Sequence, residues 1–354
     1  MLRLSAKSES LRFSIPALII AEAVVCNSLK KMKKVKLLNR DSSLEFLPNL
    51  SDKLGPKIYI KRDDEGGRGG GGNKLRKYER IIADAIDKNA DTLIIAGHYQ
   101  SNAARELVGA ACQLGLKSIV VCKSMIPEQN PTFNQNGNAL LMKLMNANII
   151  AIDKENDFQT EMERVAKNVI KNGNIPYIIP FGGSNLLGSL GYLDCANEII
   201  EQFKNVEEKS PNYIITPTGS GGTMAGLVAG FAIAEKTTKV IGFSVLHKDK
   251  TIKNIVTNLT NEIIDNLKPN SDLEIDFELN TNFVGDGYGI PTERGKKAIG
   301  MLAELEGLFL CPVYTSKAMA GLIDYIEKNK IQKDETIVFI HTGGMPLVHA
   351  YYNQ

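Results

Sequence analysis

The sequence predicts an α/β protein with open, mostly parallel sheets flanked by helices, and three observations carry that expectation. From about residue 58 onward, short and nearly all-apolar β-branched runs recur along the chain. Each run is followed by a segment with the length and pattern of a helix, as expected of parallel strands buried on both faces. The 354 residues suffice for one large domain or two compact ones, and two are the default.

In chain order the runs are IYI at 58–60, TLIIAG at 92–97, SIVVC at 118–122, NIIAI at 148–152, YIIP at 177–180, YIIT at 213–216, KVIGFSV at 239–245 and TIVFIH at 336–341. Between the first two, Leu75, Tyr78, Ile81, Ile82 and Ala85 recur at helical spacing, so an amphipathic helix is expected to start near Asn73. Arg76, Lys77, Glu79, Arg80 and Asp84 would then face water. The expected division is an N-terminal extension over 1–36, a larger domain combining 37–87 with 186–354, and a smaller domain over 88–185. Such sheets gather ligands beyond the carboxyl ends of their strands, so the loops after the runs are where chemistry is sought.

Composition excludes several classes. A net charge of +2 lacks the electrostatic footprint of a nucleic-acid binder, and the lysines read as solvated helix faces. Cys26, Cys112, Cys122, Cys195 and Cys311 form no CxxC pair, which suits a reducing compartment and argues against a disulfide framework or zinc site. The apolar stretch LRFSIPALIIAEAVVC is interrupted by Glu22 and falls short of the roughly 18 apolar residues of a membrane span. A cytoplasmic protein is expected; the Ser-, Lys- and Arg-rich opening is a weak match to an organellar transit peptide, against an extension that packs on the body.

One lysine raises a physical question. Lys74 follows GGGGN and falls in the first turn of the expected helix, where the positive helix end disfavours a cation by a few tenths to about 1 kcal/mol. An anionic ligand, a lysine that has reacted, or plain surface placement would each account for it. Neither nucleotide fingerprint fits: Asn73 stands where a P-loop needs glycine, and Met224 where the dinucleotide pattern starting at Gly219 needs glycine or alanine.

The loop PTGSGGTMAGL at 217–227 runs from a strand into an apolar helix, and its glycines suit a phosphate cradle at the helix start. In AGHYQSNAAREL at 96–107, Ser101 and Asn102 fit simple capping, and the same geometry fits reception of an amino-acid carboxylate. Hydroxyls cluster again in LCPVYTSKAMAGL and VFIHTGGMPLV, where Thr315 and Thr342 could be caps. The four histidines, His98, His247, His341 and His349, show no metal-ligand spacing, and no nucleophilic triad is recognisable. A reactive lysine, a phosphate cradle and a carboxylate site together describe one cofactor, pyridoxal phosphate, acting on a small amino acid: the lysine amine forms a Schiff base, and the ring is an electron sink for charge at Cα.

IKRDD at 60–64, GGNKLRK at 71–77, QSN at 100–102, TGSGGT at 218–223, DGYGIPT at 286–292, PVYTSKAMAGL at 312–322 and HTGG at 341–344 jointly resemble the pyridoxal-phosphate enzymes of the tryptophan-synthase β-like fold, fold type II. Within them the chain is similar to the branch of D-cysteine desulfhydrase and 1-aminocyclopropane-1-carboxylate deaminase, over roughly residues 37–352. The resemblance implies that Lys74 is the Schiff-base lysine and that Asn73, Thr218, Gly219, Ser220, Gly221, Gly222 and Thr223 hold the cofactor. It implies that Gln100, Ser101 and Asn102 bind the substrate carboxylate or a cofactor oxygen, and that Tyr288 and Tyr314 flank the substrate. In the deaminase branch a glutamate follows the tyrosine of PVY, whereas here Thr315 does, and Thr342 also resembles the desulfhydrase branch. A neutral hydroxyl stabilises a cationic ring nitrogen far less than a carboxylate, a weaker sink that suits loss of a thiolate better than opening of a cyclopropane. Ala103 departs from the family's usual QSNH. The implied activity is elimination of sulfide from D-cysteine; the cyclopropane deaminase, elimination from another β-substituted amino acid, and a catalytically silent metabolite-binding module are the alternatives. The resemblance further implies a homodimer.

Overall fold

The computed structural model describes residues 33–127, 130–206 and 209–352. The expected extension over 1–36, with its targeting alternative, lies almost wholly outside these residues.

The elements in order are β1 (Leu44–Phe46), α1 (Pro48–Leu54), β2 (Lys57–Lys61), α2 (Lys74–Asp87), β3 (Thr92–Gly97), α3 (Asn102–Leu114), β4 (Lys117–Cys122), α4 (Gly137–Leu144), β5 (Asn148–Ala151), α5 (Phe158–Lys171), β6 (Pro176–Ile178), α6 (Leu186–Val206), β7 (Tyr213–Thr218), α7 (Gly222–Ile233), β8 (Lys239–Ser244), α8 (Thr251–Leu267), β9 (Phe277–Asn280), α9 (Glu293–Glu306), α10 (Thr315–Glu327), β10 (Thr336–Ile340) and α11 (Pro346–Tyr351). They form a six-stranded sheet in the order β1-β2-β10-β7-β8-β9 and a four-stranded sheet in the order β5-β4-β3-β6. Only the β1–β2 pair is antiparallel.

Burial explains which strands the sequence announces. Every residue of β3 is buried, with Ile94 opposite Ile119 of β4 and Ile178 of β6, so an unbroken apolar run is what the position requires. The two edge strands of the six-stranded sheet, β1 and β9, read LEF and FELN, are only partly buried, and were not expected from apolar runs, whereas the edge strands of the four-stranded sheet, β5 and β6, were. The run at 177–180 contributes to a strand that ends at Ile178. Helix α7 is apolar all round because it is covered on all sides, packing into a core with Leu190, Leu193, Val256 and Ile263.

Helix α2 departs from expectation. Leu75, Tyr78, Ile81, Ile82 and Ala85 do pack inward, against Leu93, Ile95, Leu107 and Val108. Arg76, Lys77, Glu79 and Arg80, expected to face water, are buried as well. The Arg76 guanidinium donates to Asp63 at 2.9–3.0 Å and to Glu198 of α6 at 2.6–2.7 Å, and Arg80 donates to Asp194 at 2.7 Å. Lys61 reaches Glu198 at 3.0 Å. A charged face thus meets a partner helix whose acidic residues neutralise it, and charge on one face proves no guide to exposure where the neighbour supplies the counter-charge. Among the described residues no helix is long and apolar enough to cross a membrane.

Candidate active site

The carboxyl ends of β3 and β7, the turn after β10 and the start of α2 converge on one cavity of about 940 Å³, counted out to its open mouth. Asn73, Lys74, Ser101, Asn102, Thr218, Gly219, Ser220, Gly221, Thr223, Tyr288, Tyr314 and Thr342 all border it. Three expected site residues do not: Gln100, Gly222 and Thr315.

The sequence places Lys74 at the first residue of α2, and the structure supplies what offsets a cation there. Asn73 precedes it in helical conformation and makes no side-chain cap. The wholly buried Glu106 of α3 reaches across instead, its Oε2 accepting from the backbone N–H of Lys74 at 2.7 Å and of Leu75 at 3.2 Å. Gly72 makes room: a Cβ there, at φ +131°, would stand 2.2 Å from Glu106 Oε1. Lys74 Nζ donates to Asn73 Oδ1 at 2.9 Å, and Asn73 Nδ2 donates to Thr223 Oγ1 at 3.0 Å, so the lysine is linked to the glycine loop. Burial pushes the Lys74 amine below its usual range, opposed by Glu106 and assisted by Arg105. That shift makes the free amine more available as nucleophile and base.

The glycine loop runs from Thr218 into α7, whose N-terminus has no side-chain cap. Gly221, at φ +86°, turns the chain there. Ser220 and Ser184 hydroxyls meet at 2.7 Å, and Ser184 Oγ also takes the N–H of Gly222 at 3.1 Å, so Gly222 serves the turn and not the cavity wall. Lys77, one turn along α2 from Lys74, donates to Ser184 Oγ at 3.0 Å and to the Gly182 carbonyl at 3.1 Å. Burial, then the neighbouring Lys74 charge, holds its amine well below the usual lysine range. A helix N-terminus whose own N-cap residue is a glycine, with a buried lysine close behind it, fits a phosphate group. Lys77 was not foreseen, because its helical position alone marks it as a solvent-facing residue.

On the opposite wall, Ser101 is the N-cap of α3, its Oγ accepting from Ala104 N–H at 3.1 Å while the residue also borders the cavity. Capping and cavity placement therefore coexist. Asn102 Oδ1 accepts from Asn138 Nδ2 at 2.7 Å, which fixes its amide. Gln100 is committed elsewhere: its Nε2 donates to the carbonyls of Phe133 and Asn136, and its Oε1 accepts from Asn138 N–H at 2.9 Å. It braces the loop from behind the cavity wall.

His98 is an unforeseen member of the wall, 3% exposed and beside Ala103 in the lining. Its Nδ1 accepts the Gln100 N–H at 2.9 Å, so a neutral ring carries its proton on Nε2, a buried atom with no hydrogen-bond partner among the described residues. Burial lowers its pKa to about 4, so the ring is neutral near pH 7. Met125, Phe181 and Leu246 add an apolar portion to the cavity.

Tyr288 and Tyr314 hydroxyls meet at 2.5 Å, and burial raises both pKa values, keeping the pair protonated. Thr315 follows Tyr314 but is wholly buried, its Oγ1 accepting the Cys311 N–H at 2.7 Å; the expected ring-nitrogen partner therefore sits off the wall, whereas Thr342 is on it. No aspartate or glutamate borders the cavity among the described residues.

The family described as pyridoxal-phosphate dependent enzyme matches residues 35–343. The chain is 40% identical over 329 residues to the D-cysteine desulfhydrase of Yersinia enterocolitica serotype O:8 / biotype 1B, covering 93% of this chain and 98% of that one. It is 40% identical over 324 residues to the D-cysteine desulfhydrase of Salmonella paratyphi C, covering 92% and 98%. A crystal structure described as an ACC deaminase homologue superposes with a TM-score of 0.83 at 33% identity, covering 93% of this chain and 97% of that one. With this match over residues 35–343, the chain belongs to the pyridoxal-phosphate dependent enzymes, and its cofactor is pyridoxal phosphate.

Proposed function

We propose that this chain is a pyridoxal-phosphate dependent D-cysteine desulfhydrase, a carbon–sulfur lyase that converts D-cysteine and water to pyruvate, hydrogen sulfide and ammonia. The observation that carries it is the meeting of Lys74 with the N-termini of α3 and α7 in one cavity that no carboxylate borders among the described residues. The similarity to D-cysteine desulfhydrases over more than nine-tenths of the chain supports the substrate and its hand.

The bound cofactor supplies an electron sink for the charge left at Cα when the α-proton is removed. Lys74 would hold the cofactor, and its amine, with its lowered pKa, is suited to take the α-proton on Nζ. The N-terminus of α7, with Ser220, Thr223 and, behind them, the buried Lys77 amine that donates to Ser184, would hold the phosphate. Ser101 and Asn102 at the start of α3 orient the substrate carboxylate. Tyr288 and Tyr314, both protonated, border the substrate and offer hydrogen bonds without adding charge. Thr342, on the cavity wall, would stand near the bound cofactor, and Thr315, wholly buried just behind the wall with its Oγ1 taken by the Cys311 N–H, would bring to the ring nitrogen at most a neutral hydroxyl and no carboxylate. A site without a carboxylate partner gives the weaker sink, sufficient where sulfide leaves readily and poorly suited to opening a cyclopropane ring.

The test is product analysis of cofactor-loaded protein with D-cysteine, L-cysteine and 1-aminocyclopropane-1-carboxylate in parallel. Sulfide and pyruvate from D-cysteine alone are expected. Turnover of the cyclopropane substrate at a comparable rate would overturn the substrate assignment.

A further inference from the structure

Among the described residues Glu106 is the one wholly buried carboxylate in contact with the first turn of α2, which carries Lys74, and no sequence motif draws attention to it. It lies on α3, the helix whose first turn lines the opposite wall of the cavity. Its Oε2 takes the first two N–H groups of α2, one of them the backbone N–H of Lys74 itself. Its neighbour Arg105 donates to the carbonyls of Gly69 and Gly71 and lies 3.4 Å from Glu106 Oε1. Adjacent residues of one helix thus hold both the glycine tract and the start of α2. Room for this is built in: besides Gly72, a Cβ at Gly109 would stand 2.8 Å from the Cα of Gly69.

We infer that Glu106 is a positioning residue for Lys74, fixing the first turn of α2 and, by its negative charge, setting how firmly the Lys74 nitrogen holds its proton. The inference rests on Lys74 as the lysine that carries the cofactor. A carboxylate on the N–H groups of a helix start cancels the positive end of the helix, which otherwise disfavours a proton on a side chain in that turn. The charged or titratable groups facing Glu106 are Lys74, Lys77 and Tyr78 from α2 and Arg105 from its own helix; Cys311 acts on the same lysine. Burial lifts the Glu106 carboxyl to about 7, opposed chiefly by Arg105 and Lys74, so its charge changes near neutral pH.

Glu106→Gln separates position from charge, since the amide oxygen still accepts the two N–H groups. With cofactor bound, the pH at which its visible absorbance titrates is expected to move down by about one unit or more. The fold, followed by the unfolding midpoint at pH 6, is expected to be retained. A titration superimposable on that of the wild type overturns the inference, because a residue that merely builds the fold would leave it unmoved. Should the variant not fold, infrared difference spectra of wild-type holoenzyme answer the same question. The protonated-carboxyl band of a buried acid is expected to grow in step with the absorbance change as pH falls, and independent changes overturn the inference. Borohydride reduction followed by peptide mapping keeps the two ideas apart: label on another residue defeats the Lys74 assignment, whereas label on Lys74 with an unmoved titration defeats only the role of Glu106.

Discussion

His98 shows how a single residue can escape sequence reasoning. Isolated histidines carry no spacing signal, and only the fold reveals that this one reaches the cavity wall with its Nδ1 occupied. Its lowered pKa has a consequence for stability. A base whose folded value lies below its unfolded value of about 6.5 stabilises the fold above that pH, and the contribution is lost as pH falls through about 4. His98→Gln is therefore expected to flatten the acid limb of the stability profile between about pH 6.5 and 4, a difference of at most roughly 3 kcal/mol. Chemical denaturation at pH 7 and pH 4.5 checks this; equal acid sensitivity in variant and wild type would refute it. Thr315→Glu tests the ring-nitrogen argument at the same scale. A carboxylate is expected to lower sulfide release from D-cysteine by about tenfold or more, and an unchanged or faster rate would show that argument wrong. Lys74 was legible because glycines, an asparagine and a helix start surround it. Lys77 was not, since the Gly182 carbonyl and Ser184 hydroxyl that receive its buried amine lie more than a hundred positions away.

Among the elements, strands covered on both faces were readable as apolar runs; of the half-exposed edge strands, β5 and β6 still carry apolar runs, but β1 and β9, with charged or polar residues in LEF and FELN, do not. The glycine-rich tract GGRGGGG at 66–72 carries no motif that accounts for it. Its explanation is contact at atomic range: Gly71 sits at φ +69° with its missing Cβ directed 2.1 Å from the Asp64 carbonyl oxygen. Backbone cannot give way there as a flexible side chain would. Gly71→Ala is expected to destabilise the protein by about 1–3 kcal/mol and to weaken cofactor retention, because the tract leads directly into Lys74. Urea unfolding and cofactor loss on dialysis measure the two effects, and a wild-type midpoint would refute the claim.

At the scale of the whole molecule, two parallel sheets present their carboxyl ends to one space, which is why residues from 73 to 342 can share a site. The loops expected to carry chemistry followed from strand order alone; the identity of the off-wall residues Gln100, Gly222 and Thr315 did not, since spacing cannot say which way a side chain turns. We propose a homodimer, and sedimentation equilibrium is expected to give twice the 38.8 kDa chain mass, with a monomer mass refuting it. The central claim is that Lys74 is the amine through which this cavity processes D-cysteine. It is tested most directly by sulfide and pyruvate release from D-cysteine with cofactor-loaded wild type and Lys74→Ala. Equal amounts of both products from the wild type are predicted, with a loss of at least about a hundredfold in the variant. Sulfide release that persists at the wild-type rate in Lys74→Ala would contradict the account.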